Sequence, residues 1–193
     1  MKEKNTRLYI VMTGFAGAFG TSLIAEKKEK SLRERFPAFI IRSAKEFAKE
    51  GFENRAAEIF CGKEEESGIL AIHPLSEGGV FKGLWELGEE AGTGFGVELK
   101  KVPVKQETIE ICNYVDINPY ELLSNGAELI LCKDPAAVGQ ELENHGVNAA
   151  LIGRTHPEKK RVIYYDDEER FIEPRRGDSI LELPEILPAL LKE

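Results

Sequence analysis

Paired cysteines, a basic surface and long apolar runs are all missing from this chain, and each absence narrows what it can be. The three cysteines, Cys61, Cys112 and Cys132, stand at unrelated spacings. That pattern excludes a disulfide framework and fits a reducing, cytoplasmic setting. Lys and Arg number 26 against 34 Asp and Glu, a formal net charge of −8 over 193 residues. Binding a nucleic-acid backbone needs a basic surface, so a general nucleic-acid binder is not expected. No run approaches the ~20 apolar residues of a membrane span, and the apolar stretch behind Arg7 is too short for a secretion signal.

What is present is a regular alternation of short apolar runs and helical patterns, with 42% hydrophobic residues to build a core. Leu8 to Met12 reads as a strand buried on both faces. A loop with Gly14, Gly17 and Gly20 follows, and from Thr21 a helix is expected through about Phe36. This strand, glycine loop and helix invite a phosphate-loop reading, but no Lys precedes Thr21-Ser22, and the glycine spacing is not that of a dinucleotide fingerprint. Pro37 is expected to start a second helix that Gly51 stops, and a third covers about Asn54 to Cys61.

Ile69 to Ile72 reads as the next strand, and it runs through His73-Pro74-Leu75 into Ser76-Glu77-Gly78-Gly79. Val80, Leu84, Leu87 and Ala91 recur at helical spacing behind that turn, with Ser76 placed as the N-cap. Two glycines leave the amides of a helix start uncovered by side chains, and such a start attracts anions. The same glycines also serve close packing of the helix on the sheet, and the residues alone leave both readings open.

Phe95, Val97 and Leu99 are expected to point inward from a strand whose glycines mark a sharp entry or a second backbone passing close by. A helix over Lys105 to Val115 follows, with Cys112 in the core, and then a short helical turn capped by Asn118. Ser124-Asn125-Gly126 is a turn leading to a strand over Ala127 to Cys132. Asp134-Pro135 opens the next helix, which Gly146 closes after His145. Asn148 to Arg154 is a strand, 161–165 and 170–173 form a hairpin, and 184–192 is a short amphipathic helix. The acidic runs Glu64-Glu65-Glu66 and Asp166-Asp167-Glu168-Glu169 are expected at solvated tips, with no metal site. These elements predict an α+β fold, a mixed β-sheet covered by helices, in a single domain spanning 1–193.

The run from Ser76 to Gly92 resembles the glycine-rich turn and helix in the C-terminal domain of the aminoimidazole ribonucleotide (AIR) synthetase superfamily. The resemblance continues in order through Val102-Pro103-Val104, Glu107 to Cys112, Ile117-Asn118-Pro119, Leu122 to Gly126 and Glu128-Leu129-Ile130. Within the superfamily the chain is most similar to the hydrogenase maturation factor (carbamoyl dehydratase) type, including the loop from Thr13 to Thr21 and the Glu- and Lys-rich helix behind it.

The resemblance implies an ATP-using fold in two halves, of which the N-terminal, ATP-binding half is expected to be absent here. It places phosphate-facing positions at Ser76, Glu77, Gly78 and Gly79, with Gly14, Gly17, Gly20 and Thr21 as the second wall of the cleft. His73 is a further candidate donor, although a lone His beside an apolar strand is as readily a structural residue. No catalytic residue is assigned. The expected function is binding of a phosphate-containing small molecule or nucleotide without catalysis. The alternatives are one half of a split enzyme that activates an amide or carboxamide oxygen, with ATP and magnesium held by a separate N-terminal-type subunit, and an interaction module without ligand. A homodimer is the other expected assembly.

Overall fold

The computed structural model describes residues 7–50, 55–173, 177–184 and 186. The Gly51 helix stop, and all of the expected C-terminal helix except Pro184 and Ile186, lie outside those residues. Seven strands form one mixed sheet: β1 (Tyr9–Thr13), β2 (Ile69–Pro74), β3 (Gly94–Glu98), β4 (Glu128–Cys132), β5 (Ala149–His156), β6 (Arg161–Tyr165) and β7 (Glu168–Phe171). Their spatial order is β2-β4-β1-β5-β3-β6-β7. Every neighbouring pair is antiparallel except β3 and β6.

Among the described residues seven α-helices flank the sheet: α1 (Ala18–Lys27), α2 (Glu29–Leu32), α3 (Ala38–Glu50), α4 (Arg55–Phe60), α5 (Gly79–Glu90), α6 (Gln106–Val115) and α7 (Pro135–Asn144). None of the described helices is long and apolar enough to cross a membrane. Alternation along β1 shows why both faces are covered. Ile10 and Met12 join α5 residues Val80, Leu84 and Leu87 in one cluster. Val11 points the other way and packs with Phe60 of α4 and with Val138 and Leu142 of α7. Fully burying one such side chain is worth roughly 1.5–3 kcal/mol. A third cluster binds α1, α3 and α6 together through Ile24, Ile41, Phe47 and Ile111, and Cys112 is fully buried within it as expected.

Four expectations need correction. Leu99 is not an inward strand residue but begins a short 3₁₀ turn (Leu99–Lys101) after β3. Glu168 and Glu169 begin β7 and pair with β6, so the hairpin tip is Asp166-Asp167 alone. The helix behind the first glycine loop is not continuous to Phe36: α1 ends at Lys27, and the chain turns at Lys28 before α2. That turn places Glu29 between Arg33 and Lys45, which both donate to its carboxylate. Ser76 is not the cap of α5 either. Gly78 holds that position in the left-handed region at φ 78°, with no side-chain cap. Elsewhere the local chemistry works as the sequence indicates. Asn118 accepts from the Tyr120 amide, and Asp134 accepts from the amides of Ala136 and Ala137. A Cβ at Gly94 would collide with the carbonyl of Glu158, so a second backbone does pass close there.

Candidate functional site

Both glycine bends come to rest against one short segment, Pro119 to Ser124. At the first bend Gly17 has φ 65°, and a Cβ on it would stand 2.6 Å from the Pro119 carbonyl oxygen. A Cβ on Gly20 would meet the Leu122 side chain at 2.5 Å. At the second bend Gly79 has φ 60°, and a Cβ there would stand 2.6 Å from the Leu122 oxygen and 2.7 Å from that of Tyr120. Glycine is required at 17 and 79 by space as well as by backbone conformation, and at 20 by space alone.

The same segment also occupies the amides of the first bend. The Gly17 amide donates to Ser124 Oγ at 2.8 Å, and the Gly20 amide to the Leu123 carbonyl at 3.0 Å. Thr21 is fully buried and returns its hydroxyl to the Gly17 carbonyl at 2.8 Å. At the other bend the Gly79 amide donates to the Ser76 carbonyl at 3.1 Å, and that same carbonyl accepts from the Ser124 amide at 3.2 Å. The Gly78 amide donates to Asp178 Oδ2 at 2.7 Å. An internal carboxylate therefore stands at the start of α5, where the sequence suggests an uncovered anion site. Burial pushes the Asp178 carboxyl above its ordinary range, and the amides of Ile180, Gly78 and Leu123 partly offset that shift.

The remaining candidates face elsewhere. His73 Nε2 lies 3.2 Å from Glu86 Oε2, and its Nδ1 lies 3.6 Å from Glu90 Oε1, so its ring rests on α5. Glu77 is exposed, with Oε2 3.9 Å from Lys82 Nζ. Among the described residues no three His, Cys, Asp or Glu side chains gather in a way that could hold a metal ion.

Gly14 lies differently. Its loop forms one wall of a cleft of about 210 Å³, lined also by Thr13, Phe15, Ala18, Asn125 and Gly126. Two cations, Lys105 and Arg55, reach the same cleft. Lys105 Nζ sits 4.8 Å from the centroid of the Phe15 ring, which also lines the cleft, and 4.4 Å from that of Phe47. Arg55 is steadied by a 3.0 Å bond to the His145 carbonyl. At the inner end Glu128 is 1% exposed and accepts from the amides of Ala56 and Ala57 at 2.7 and 3.1 Å. Burial pushes its carboxyl upward as well.

This sheet order, two glycine bends on one segment and a flanking cleft accompany a match to a known family. Residues 8–166 fit the AIR synthase related protein, C-terminal domain. The chain belongs to that family.

Among curated proteins the AIR synthase domain is 25% identical over 91 residues to carbamoyl dehydratase HypE of Rhodobacter capsulatus, covering 45% of this chain and 27% of that protein. In solved structures its fold matches E. coli HypE with a TM-score of 0.72 at 17% identity, over 96% of this chain and 54% of the other. It also matches the hydrogenase maturation protein HypE in complex with ATP, with a TM-score of 0.65 at 18% identity, over 93% and 52%. The domain thus spans about half the length of these solved relatives, and at such identities the likeness shows the fold.

Lys105 and Arg55 carry the charge of the Gly14 cleft, and reasoning from sequence passes over both. Each stands at the edge of a helix, where a Lys or Arg is ordinarily a solvated surface residue. Only the fold brings them to a glycine loop 91 and 41 residues earlier in the chain. The Ser124-Asn125-Gly126 turn did carry a signal, and its last two residues line the cleft.

Proposed function

We propose that this AIR synthase domain binds a phosphate-bearing small molecule or nucleotide in the Gly14 cleft and performs no chemistry by itself. The observation that carries the proposal is that Lys105 and Arg55 line the same cleft as Gly14 and Gly126, in a chain of net charge −8. Two cations held by aromatic rings and a backbone carbonyl are preorganised for an anion, because little side-chain freedom is left to lose on binding. A cleft of about 210 Å³ is smaller than the roughly 300–1,000 Å³ that encloses a drug-sized ligand. It takes a phosphate and the atoms next to it, and leaves the rest of a nucleotide at the mouth. The ATP named with the structurally similar HypE complex supports a nucleotide as the first ligand to try.

The glycine bends serve this site indirectly. Gly17, Gly20, Gly78 and Gly79 use their amides within the fold, and they fix the 119–124 segment whose continuation, Asn125-Gly126, lines the cleft. Calorimetry of the chain with ATP, ADP, AMP and phosphate tests the proposal, and flat titrations with all four would end it.

A second reading is supported by the structurally similar HypE being named both in complex with ATP and in complex with a second protein, HypF. Here the domain joins a separate N-terminal-type subunit that supplies the ATP and magnesium machinery, and together they activate an amide or carboxamide oxygen. The chain alone then has no ATPase activity and gains it on mixing with that subunit. Activity in the purified chain, or none in the mixture, counts against it.

A further inference from the structure

A second opening, sharing no lining residue with the Gly14 cleft, lies between α5, the 119–121 turn and the β6–β7 hairpin. It measures about 650 Å³, within the range of small-molecule sites. Four aromatic rings from separate parts of the chain line it: Phe81 from α5, Tyr120 from the turn, Tyr165 from β6 and Phe171 from β7. Phe81 and Tyr120 are stacked on one another, 5.6 Å between centroids and 13° between planes. Lys100 and Lys160 hold their ammonium groups 5.2 and 5.4 Å from the centroids of Tyr165 and Phe171. The rings are thus positioned by neighbours before any ligand arrives.

Tyr165 and Phe171 are nevertheless 47% and 66% exposed. Large aromatic surface left in water at the ends of two strands, facing one opening, is costly unless something covers it. The polar groups of the lining select what does. Beside the rings lie the Glu173 carboxylate and the Asn118 amide oxygen, which accepts from the Tyr120 amide and keeps a second lone pair, while Arg170 is paired with Glu168 at 3.2 Å. Flat π faces together with a carboxylate and an amide acceptor suit a planar ring that carries N–H donors, whereas an aliphatic chain has nothing to donate.

We propose that this groove is a separate ligand site for a planar nitrogen heterocycle of nucleobase type. The ring stacks among the four aromatics and donates its N–H groups to the acceptors beside them. The site is independent of phosphate binding at Gly14.

Adenosine and cytidine, which carry no phosphate, are the probes, titrated at millimolar concentration into the full chain while the methyl resonances of Ile163 and Ile172 are followed by NMR. Both residues line the groove. Saturable shifts with at least one nucleoside are expected, and none with ribose. Phe171→Ala and Tyr165→Leu, at exposed positions, are expected to weaken binding at least about fivefold each with an unchanged melting temperature, and Lys105→Gln to leave it intact. Absence of saturable shifts with both nucleosides, or unchanged affinity in Phe171→Ala, overturns the proposal. A concentration-dependent dimer that Phe171→Ala dissolves also overturns it, because the rings then cover one another between copies.

Discussion

The Asp178 carboxylate accepts a 2.7 Å hydrogen bond from the Gly78 amide, across 100 residues of sequence. Its other oxygen accepts from the Ile180 amide at 2.9 Å. One side chain, 4% exposed, thus satisfies the start of α5 and the turn of the chain at Ser179 together. Asp178→Ala leaves both buried donors without that partner and is expected to cost about 1–3 kcal/mol. Urea unfolding checks this, with a lowered midpoint at unchanged slope as the expected result.

The two glycines beside that contact are not equivalent. A Cβ at Gly78, φ 78°, has the Lys82 side chain as its nearest neighbour, Lys82 Cβ included at 2.8 Å, so Gly78→Ala is expected to cost about the 1–2 kcal/mol of a left-handed residue together with the small shift that Lys82 must make. A Cβ at Gly79 meets two backbone carbonyls of the 119–124 segment, which cannot swing aside. Gly79→Ala is expected to lose more than about 3 kcal/mol, or not to fold. Equal melting temperatures for the two variants would contradict this account of the bends.

Burial raises the carboxyls of Asp178 and Glu128 above their ordinary values of 3.8 and 4.5. Between each ordinary value and its raised folded value, the folded chain binds more protons than the unfolded chain. The stability from these neutral carboxyls is complete below the ordinary value and is lost as pH rises through the folded one. Asp178→Asn with Glu128→Gln removes that dependence. Stability curves of wild type and double variant against pH are therefore expected to differ in slope, with the wild type losing more stability as pH climbs from the ordinary carboxylate range toward neutrality. Parallel curves would show that both groups titrate at their ordinary values.

Burial pushes the thiols of Cys112 and Cys132 up to about 12 and about 11, while Cys61 is exposed. A thiolate is the reactive species, so a neutral-pH thiol reagent is expected to label Cys61 alone in the native chain and all three after denaturation. Rapid labelling of Cys112 or of Cys132 in the native chain would mean that the core around α6 or around β4, respectively, opens easily.

Much of the fold is legible in local chemistry, because its signals lie within a few residues of one another. The apolar run before Gly14 and the Asn118 and Asp134 caps all specify their own surroundings, and the structure keeps each. The sheet order is another matter, since β1 sits between β4 and β5 through pairings more than 100 residues apart. The glycine bends show the same limit. The family resemblance implies that the two bends face one cleft, but Ser124 and Asp178, which take up the amides of Gly17 and Gly78, come from 107 and 100 residues away. For the same reason Lys105 and Arg55 carry no local mark of their place at Gly14.

The most direct measurement is titration calorimetry of the intact chain with ATP, ADP, AMP and inorganic phosphate, repeated with Lys105→Gln. Saturable heat is expected with at least one of the four, weakened about tenfold or more in the variant, as loss of a charged hydrogen bond requires. Flat titrations with all four, or equal affinity in Lys105→Gln, would contradict phosphate binding in the Gly14 cleft.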